Sequence, residues 1–133
     1  INEEVPIFVL KDFFKKLSQH KIEISKINVL FLGATFKENT SDVRNSKALE
    51  LAREINNLVK NVYLYDPYVA TKDLNLGINI FSNLPKDRKF DVLILAVKHD
   101  KFSKLAPLDF ITKKGFVYDI KRLFKPHPKI YSL

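Results

Sequence analysis

Apolar side chains recur every three or four residues along the start of the 133-residue chain. Two adjacent stripes result, one through Ile7, Leu10, Phe14 and Leu17 and the other through Val5, Val9 and Phe13. This spacing predicts a helix over residues 1–20. A helix that is apolar on two neighbouring sides requires a partner on each. We therefore expect a second surface beyond this domain; the alternative is a helix that packs only on its own sheet.

Short, nearly continuous apolar runs then follow one another along the chain. They predict strands over residues 27–32, 62–65, 78–81, 90–97 and 116–119. Continuous rather than alternating apolar runs are typical of parallel strands that are buried on both faces. The run at 90–97 is the longest of them and predicts a central strand.

Helical periodicity returns between the first two predicted strands, over residues 47–60. Asn45 or Ser46 is the expected N-cap, and Asn61 the expected stop. Residues 101–112 predict one or two short helical turns interrupted by Pro107, and the prolines at 126 and 128 predict an irregular tail.

This alternation of strands and helical connections predicts an α/β fold, a Rossmann-like three-layer sandwich with a mostly parallel sheet and helices on both faces. In such sheets, ligands bind at the carboxyl ends of the strands. We therefore expect a site where the loops after residues 32, 65, 97 and 119 converge.

Composition narrows the class of protein. The chain has the length of one domain, and 46% of its residues are hydrophobic, which is enough for a core. Its net charge of +8 comes from lysines scattered over many segments, so we expect no nucleic-acid partner. It has no cysteine, which excludes disulfides and thiol chemistry within these residues. No apolar run approaches the length of about 20 residues that a membrane span needs, and no leader is visible, so we expect a cytoplasmic protein without a membrane partner.

The polar loop over residues 33–46 carries the candidate chemistry. Hydroxyl and amide side chains can donate hydrogen bonds, Lys37 supplies a point charge, and Arg44 a planar fork. The start of the next helix adds free backbone N–H groups, so the mixture suits a phosphate-bearing ligand. Neither the Gly-x-Gly-x-x-Gly fingerprint nor a P-loop is present. The alternative is an ordinary polar connection.

The loop also has a fixed pattern, carried by Gly33, Phe36, Lys37, Thr40, Asp42, Arg44 and Ser46. This pattern resembles the signature that opens the C-terminal, UDP-binding domain of the UDP-glucose/GDP-mannose dehydrogenase family. Three later segments also resemble that family: Tyr65-Asp66-Pro67, the run Ala96-x-x-His99-Asp100-x-Phe102, and Asp119 followed by Lys121 and Arg122. The resemblance extends from residue 1 to about residue 125.

The resemblance implies the substrate-binding part of an NAD-dependent nucleotide-sugar 6-dehydrogenase, which oxidises a UDP-hexose to a UDP-hexuronate for polysaccharide biosynthesis. In that family the NAD-binding domain and the catalytic cysteine precede the segment that this chain resembles. Residues 1–22 would then be the end of a long central helix that forms a homodimer, and residues 23–133 the UDP-sugar-binding domain. On this basis we expect no catalytic residue, no metal ligand and no activity from this segment alone.

The resemblance also assigns roles to individual residues. The substrate-binding residues would be Phe36, Lys37, Glu38, Asn39, Thr40, Ser41, Asp42, Val43, Lys121 and Arg122. Lys37 would reach toward the sugar nucleotide, and Arg44 would face the NAD cofactor. The chain departs from the family in having Lys121 where arginine is common, and Glu38 where proline is common.

Several alternatives remain open from the sequence. Asp66 is either a ribose ligand or the start of a turn before Pro67. His99 is either a ligand or acid/base contact, or a polar helix-capping or loop histidine. The competing function is a non-enzymatic α/β nucleotide-binding or protein-interaction module, which the apolar first helix favours. Nothing in the sequence identifies the sugar.

Overall fold

The structure is a computed structural model that describes residues 7–74 and 77–133. Within them, helix α1 spans Ile7–Gln19 and helix α2 spans Lys47–Asn56. The strands are β1 (Asn28–Leu32), β2 (Asn61–Tyr65), β3 (Asn79–Ile80), β4 (Phe90–Leu95), β5 (Ile111–Asp119) and β6 (Ile130–Ser132). Short 3-10 helices lie at Ile24–Lys26, Thr71–Asp73, Asp100–Phe102 and Pro107–Phe110. The part of the expected first helix at residues 1–6, including Val5, lies outside the described residues.

The strands form one sheet in the order β3-β2-β1-β4-β5-β6, and all its neighbouring strands are parallel. The predicted α/β, Rossmann-like fold with a parallel sheet is therefore confirmed. The strand order reverses between β1 and β4, which is where ligands bind in open α/β sheets. This crevice opens beside the loop over residues 33–46.

The two faces of the sheet are covered differently. Both α-helices pack on one face, where Phe31, Ile94 and Phe116 belong to the same buried cluster as the helix side chains. The other face is covered by the 3-10 helices Asp100–Phe102 and Pro107–Phe110. Its layer is therefore much thinner than the α-helical layer.

Helix α1 has an apolar side that the sheet does not cover. Val9, Leu10, Phe13 and Leu17 are buried. Ile7, Phe8 and Phe14 remain exposed. The buried side therefore combines members of both sequence stripes. The expected second partner of this helix stays a prediction.

Helix α2 begins as expected, because the Ser46 hydroxyl accepts a hydrogen bond from the Leu49 N–H at 3.1 Å. The predicted end of this helix was wrong: it stops at Asn56, and Asn61 already belongs to β2. The physical reason is a contact with Ile27, the residue that precedes β1. The N–H groups of Lys60 and Asn61 both donate to the Ile27 carbonyl, which draws the chain into the sheet.

The end of the chain was predicted as an irregular tail, and this was wrong for residues 130–132. These residues form the edge strand β6, paired with Val117 to Asp119 of β5. The Lys129 carbonyl also accepts a hydrogen bond from Val117 N–H at 2.8 Å. Three residues are too few to show a periodicity, so only the pairing with β5 reveals this strand.

Candidate functional site

The loop over residues 33–46 leaves β1 through a glycine that the backbone requires. Gly33 has φ of 104°, in the region that favours glycine, and its N–H donates to the Tyr65 carbonyl at 3.0 Å. A Cβ at this position would lie 2.6 Å from Val97 Cβ. The first residue of the signature therefore allows the ends of β1, β2 and β4 to approach one another closely.

The loop folds back on itself before α2. Phe36 N–H donates to the Asp42 carbonyl at 2.8 Å, and the hydroxyl groups of Thr35 and Thr40 both donate to the Lys37 carbonyl. Asn39 adopts a left-handed backbone with φ of 61°. These contacts give the loop a defined shape.

His99 connects this loop to the ends of two other strands. Its ring is fully buried, and its Nδ1 accepts a hydrogen bond from Asn39 N–H at 2.9 Å. Its Nε2 lies 2.8 Å from Asp66 Oδ2. Because a backbone amide can only donate, Nδ1 carries no proton, so Nε2 holds the proton and donates it to Asp66. Of the two alternatives left open by the sequence, the geometry favours a polar loop histidine, because the ring bonds Asn39 and does not cap the helix at Asp100–Phe102.

The carboxylate of Asp66 is likewise hydrogen-bonded to other groups of the protein. Besides the His99 bond, its carboxylate accepts hydrogen bonds from Ala34 N–H and Tyr68 N–H, each at 2.8 Å. The residue is buried, so a ribose has little access to its oxygens. This arrangement favours the alternative in which Asp66 starts a turn.

The remaining loop side chains mostly face solvent. Phe36, Lys37, Glu38, Asn39, Ser41 and Arg44 are exposed, whereas Thr40, Asp42 and Val43 are half-buried. Arg44 Nε and Nη2 each donate to an oxygen of Asp42 at 3.1 Å. Hydrogen bonds from Arg44 lower the pKa of Asp42 and, in turn, raise the pKa of Arg44. The Arg44 side chain is nevertheless 86% exposed, so part of its fork faces outward.

A cleft of about 390 Å³ lies between the loop, α2 and the ends of β4 and β5. It is lined by Val9, Thr35, Phe36, Glu38, Lys47, Ala48, Leu51, Ala96, Val97, Lys98, Ile120 and Lys121. We call it the loop cleft. It brings together Phe36, Glu38 and Lys121 from the predicted site. The other predicted residues do not line it: Lys37, Asn39, Thr40, Ser41, Asp42, Val43, Arg44 and Arg122.

Asp119 explains why Lys121 and Arg122 differ in position. Its buried carboxylate accepts hydrogen bonds from Leu123 N–H at 3.1 Å and Phe124 N–H at 2.7 Å. This fixes a turn in which Arg122 has φ of 56° and donates to the Leu133 carbonyl. The turn therefore leaves Lys121 at the loop cleft and holds Arg122 near β6.

Sequence reasoning missed two cations of the loop cleft, Lys47 and Lys98. Lys98 comes three residues after β4, and Lys47 is the first residue of α2. Both positions follow from the strand and helix boundaries, which were available from the sequence pattern. Together with Lys121 they line the same cleft as Ala48 in the first turn of α2, and an anion is stabilised near a helix N-terminus.

A second cleft of about 480 Å³ lies on the other face of the sheet, among Tyr65, Lys86, Lys101, Phe102 and Lys104 with their neighbours. We call it the far cleft. Burial, followed by the charge of Asp66, raises the pKa of Tyr65. No residue of the loop lines this cleft.

Residues 7–74 and 77–133 contain neither a candidate metal-binding cluster nor a helix that could cross a membrane. No three His, Asp or Glu side chains of this part lie close enough together to hold a metal ion. No helix found there combines the length and the apolar character needed to cross a bilayer.

The sequence and fold also match known proteins. The profile described as "UDP-glucose/GDP-mannose dehydrogenase family, UDP binding domain" matches residues 30–126. The chain is 31% identical over 129 residues to UDP-N-acetyl-D-glucosamine 6-dehydrogenase from Pseudomonas aeruginosa, which covers 92% of this chain and 30% of that protein. It is 42% identical over 105 residues to UDP-N-acetyl-D-mannosamine dehydrogenase from Pyrococcus horikoshii, covering 79% of this chain and 23% of that protein.

Solved structures agree with the fold. The UDP-D-ManNAc dehydrogenase from Pyrococcus horikoshii superimposes with a TM-score of 0.77 at 24% identity, over 96% of this chain and 30% of that one. A UDP-glucose dehydrogenase from Pyrobaculum islandicum gives a TM-score of 0.62 at 25% identity, over 79% of this chain and 24% of that one. The chain thus spans less than a third of the length of these relatives.

Proposed function

Because the chain belongs to the UDP-glucose/GDP-mannose dehydrogenase family and matches its UDP-binding domain, we propose that it binds the nucleotide part of a UDP-sugar at the loop cleft. The natural protein would be an NAD-dependent nucleotide-sugar 6-dehydrogenase that makes a UDP-hexuronate for polysaccharide biosynthesis. The relatives named above include enzymes for N-acetylated UDP-hexosamines, and such a sugar is the substrate class that we propose.

One observation carries this proposal. The signature loop, the N-terminus of α2 and three lysines (Lys47, Lys98 and Lys121) converge on one cleft of about 390 Å³. A diphosphate there would meet lysine ammonium groups and the positive end of the α2 dipole. The exposed ring of Phe36 adds an apolar surface on which a base or sugar can lie. Lys37 stands outside the cleft on the same loop, from which its flexible side chain would reach the ligand.

Glu38 is the one acidic side chain among the residues that line the loop cleft in the described part of the chain. Being exposed, it can turn to solvent when an anion binds, which keeps its charge away from the phosphates. A carboxylate is also a good acceptor for sugar hydroxyl groups. We therefore place Glu38 at the sugar end of the ligand. Asn39, Thr40, Ser41, Asp42 and Val43 would complete and support the same loop.

NAD would be held mainly by a separate domain, because this chain lacks the glycine fingerprint. The group that fits a cofactor contact is Arg44, whose fork binds Asp42 along one edge and faces solvent along the other. NAD supplies the hydride acceptor when bound, and Arg44 would pair with one of its anionic groups. Oxidation through a thioester requires a cysteine, which would also come from outside this segment.

For the domain boundaries we propose the division that the family resemblance implies. Residues 1–22 would form the end of a central helix, and residues 23–133 the UDP-sugar-binding domain. The exposed Ile7, Phe8 and Phe14 on α1 support a contact with the rest of a homodimer. The same surface favours the second candidate function, a protein-interaction module without enzymatic activity. That function predicts partner binding without nucleotide affinity.

We propose the cytoplasm as the location of the natural protein, with no nucleic-acid or membrane partner.

The proposal is tested by titrating UDP into the natural protein that carries this chain and into three variants. Removing a cation from a phosphate site should weaken UDP binding by about five- to tenfold in Lys121→Ala and in Lys37→Ala. The matched control is Lys72→Ala, because Lys72 is exposed and lines neither cleft. Unchanged UDP affinity in both test variants, or an equal loss in the control, would contradict the proposal.

A further inference from the structure

We propose that His99 is a positioning residue, which sets the shape of the binding loop through one tautomer of its imidazole ring. The inference rests on the proposed function of that loop and adds the group that prepares it for UDP. His99 does not line the loop cleft. Any effect on the ligand therefore passes through Asn39 and its neighbours.

A reciprocal pair of hydrogen bonds joins the loop to His99 and Asp100, in the segment that follows β4. Asn39 N–H donates to His99 Nδ1 at 2.9 Å, and Asp100 N–H donates to Asn39 Oδ1 at 2.8 Å. A left-handed backbone costs most non-glycine residues about 1–2 kcal/mol, and the cost is lower for asparagine because its side chain can hydrogen-bond locally. The pair offsets this cost and holds Asn39 at φ of 61°.

Asp66 and the Asn39 N–H together determine which nitrogen of the His99 ring carries the proton. Asp66 Oδ2 lies 2.8 Å from His99 Nε2, and the carboxylate is itself fixed by Ala34 N–H and Tyr68 N–H. A proton on Nδ1 would face the Asn39 N–H, and it would leave Asp66 without its imidazole donor. Since the ring is fully buried, no solvent position beside it would relieve that conflict.

Thr35 connects His99 to the part of the loop that lines the cleft. Thr35 Oγ1 lies 3.3 Å from His99 Nε2 and donates to the Lys37 carbonyl at 2.7 Å. His99 therefore contacts the loop on both sides of the exposed Phe36 and Glu38. These two residues line the cleft, so their position depends on the histidine beneath them.

Two variants separate the two ring nitrogens. In His99→Asn, the amide oxygen takes the place of Nδ1 and can still accept from Asn39 N–H. In His99→Gln, the amide nitrogen takes the place of Nε2 and can still donate to Asp66. Each variant loses one buried hydrogen bond, so a merely structural role predicts similar losses of stability and of UDP affinity.

The proposal predicts an asymmetric result. In the natural protein, UDP affinity should fall by about tenfold in His99→Gln and by less than about threefold in His99→Asn, while thermal melting shows comparable destabilisation. Equal affinity losses, or a greater loss in His99→Asn, would overturn it.

A ligand-free measurement keeps the two proposals distinguishable. In the unmutated, ¹⁵N-histidine-labelled protein, the ring shifts of His99 should show a protonated Nε2 and an unprotonated Nδ1. A protonated Nδ1 would overturn the inference even if UDP binds. If the unmutated protein fails to bind UDP, the proposed function fails, and this spectrum still decides the tautomer.

Discussion

Gly33 shows how a single residue of the signature is required by a contact that is distant in sequence. Its place in the motif was readable from the sequence, but the reason for it was not. That reason is Val97, whose backbone N lies 2.8 Å from where a Cβ would stand. The roles of His99 and Asp66 were also not readable from the sequence, because they depend on hydrogen bonds among the loops that follow β1, β2 and β4. Lys47 and Lys98 lie beside element boundaries that the sequence pattern predicted, but their convergence on one cleft depends on the tertiary fold.

Gly33→Ala should lower the free energy of unfolding by about 3 kcal/mol, because it adds steric conflict with Val97 to a left-handed backbone. Gly77→Ala is the matched control. Gly77 also has a positive φ, of 66°, but a Cβ there would meet nothing within 4 Å. Its expected cost is about 1 kcal/mol. Urea denaturation of both variants tests the difference, and equal costs would contradict the steric explanation.

At the scale of elements, the sequence predicts those helices and strands whose residues show a local pattern of apolar or capping residues. The continuous apolar runs predicted β1, β2, β4 and the second half of β5, and Ser46 predicted the start of α2. The end of α2 and the whole of β6 depend on hydrogen bonds to distant strands, which local periodicity cannot reveal. The buried side of α1 likewise depends on the sheet beneath it.

Tyr118 of β5 attaches helix α1 to that sheet through contacts with Asp12 and Phe13. Tyr118 is buried, its ring stacks on Phe13 with centroids 6.0 Å apart, and its hydroxyl donates to Asp12 Oδ2 at 2.8 Å. Tyr118→Phe should remove this hydrogen bond and lower the free energy of unfolding by about 1 kcal/mol at pH 7. Chemical denaturation of the two proteins measures the difference.

The pH dependence of that difference has a definite sign. Burial, then the bond to Asp12, raises the pKa of Tyr118 above its ordinary value of 10. The unfolded tyrosine then ionises first, so its stabilising contribution is complete below about pH 10 and declines as the pH rises further. The Tyr118→Phe variant lacks this decline, and the stability gap between the two proteins should narrow above about pH 10. A gap that widens there would contradict the assignment.

At the scale of the whole molecule, a comparison of the loop cleft with the far cleft distinguishes UDP binding at the signature loop from the competing functions. Both clefts carry lysines, so the net charge of +8 does not decide between them. The loop cleft alone combines the signature loop, the N-terminus of α2 and the edge where the strand order reverses. The fold was predictable because the strands alternate with helical connections. The side of the sheet that holds the cleft was not, since it depends on where both α-helices pack.

The most direct test is hydrogen exchange of the natural protein with and without saturating UDP, measured by mass spectrometry. Bound UDP should slow exchange in peptides covering residues 33–46 and 119–122, because their backbone surrounds the proposed phosphate site. Peptides from the far cleft, around Lys101 and Lys104, should not change. Protection confined to the far cleft, or no protection anywhere in this chain, would contradict the account.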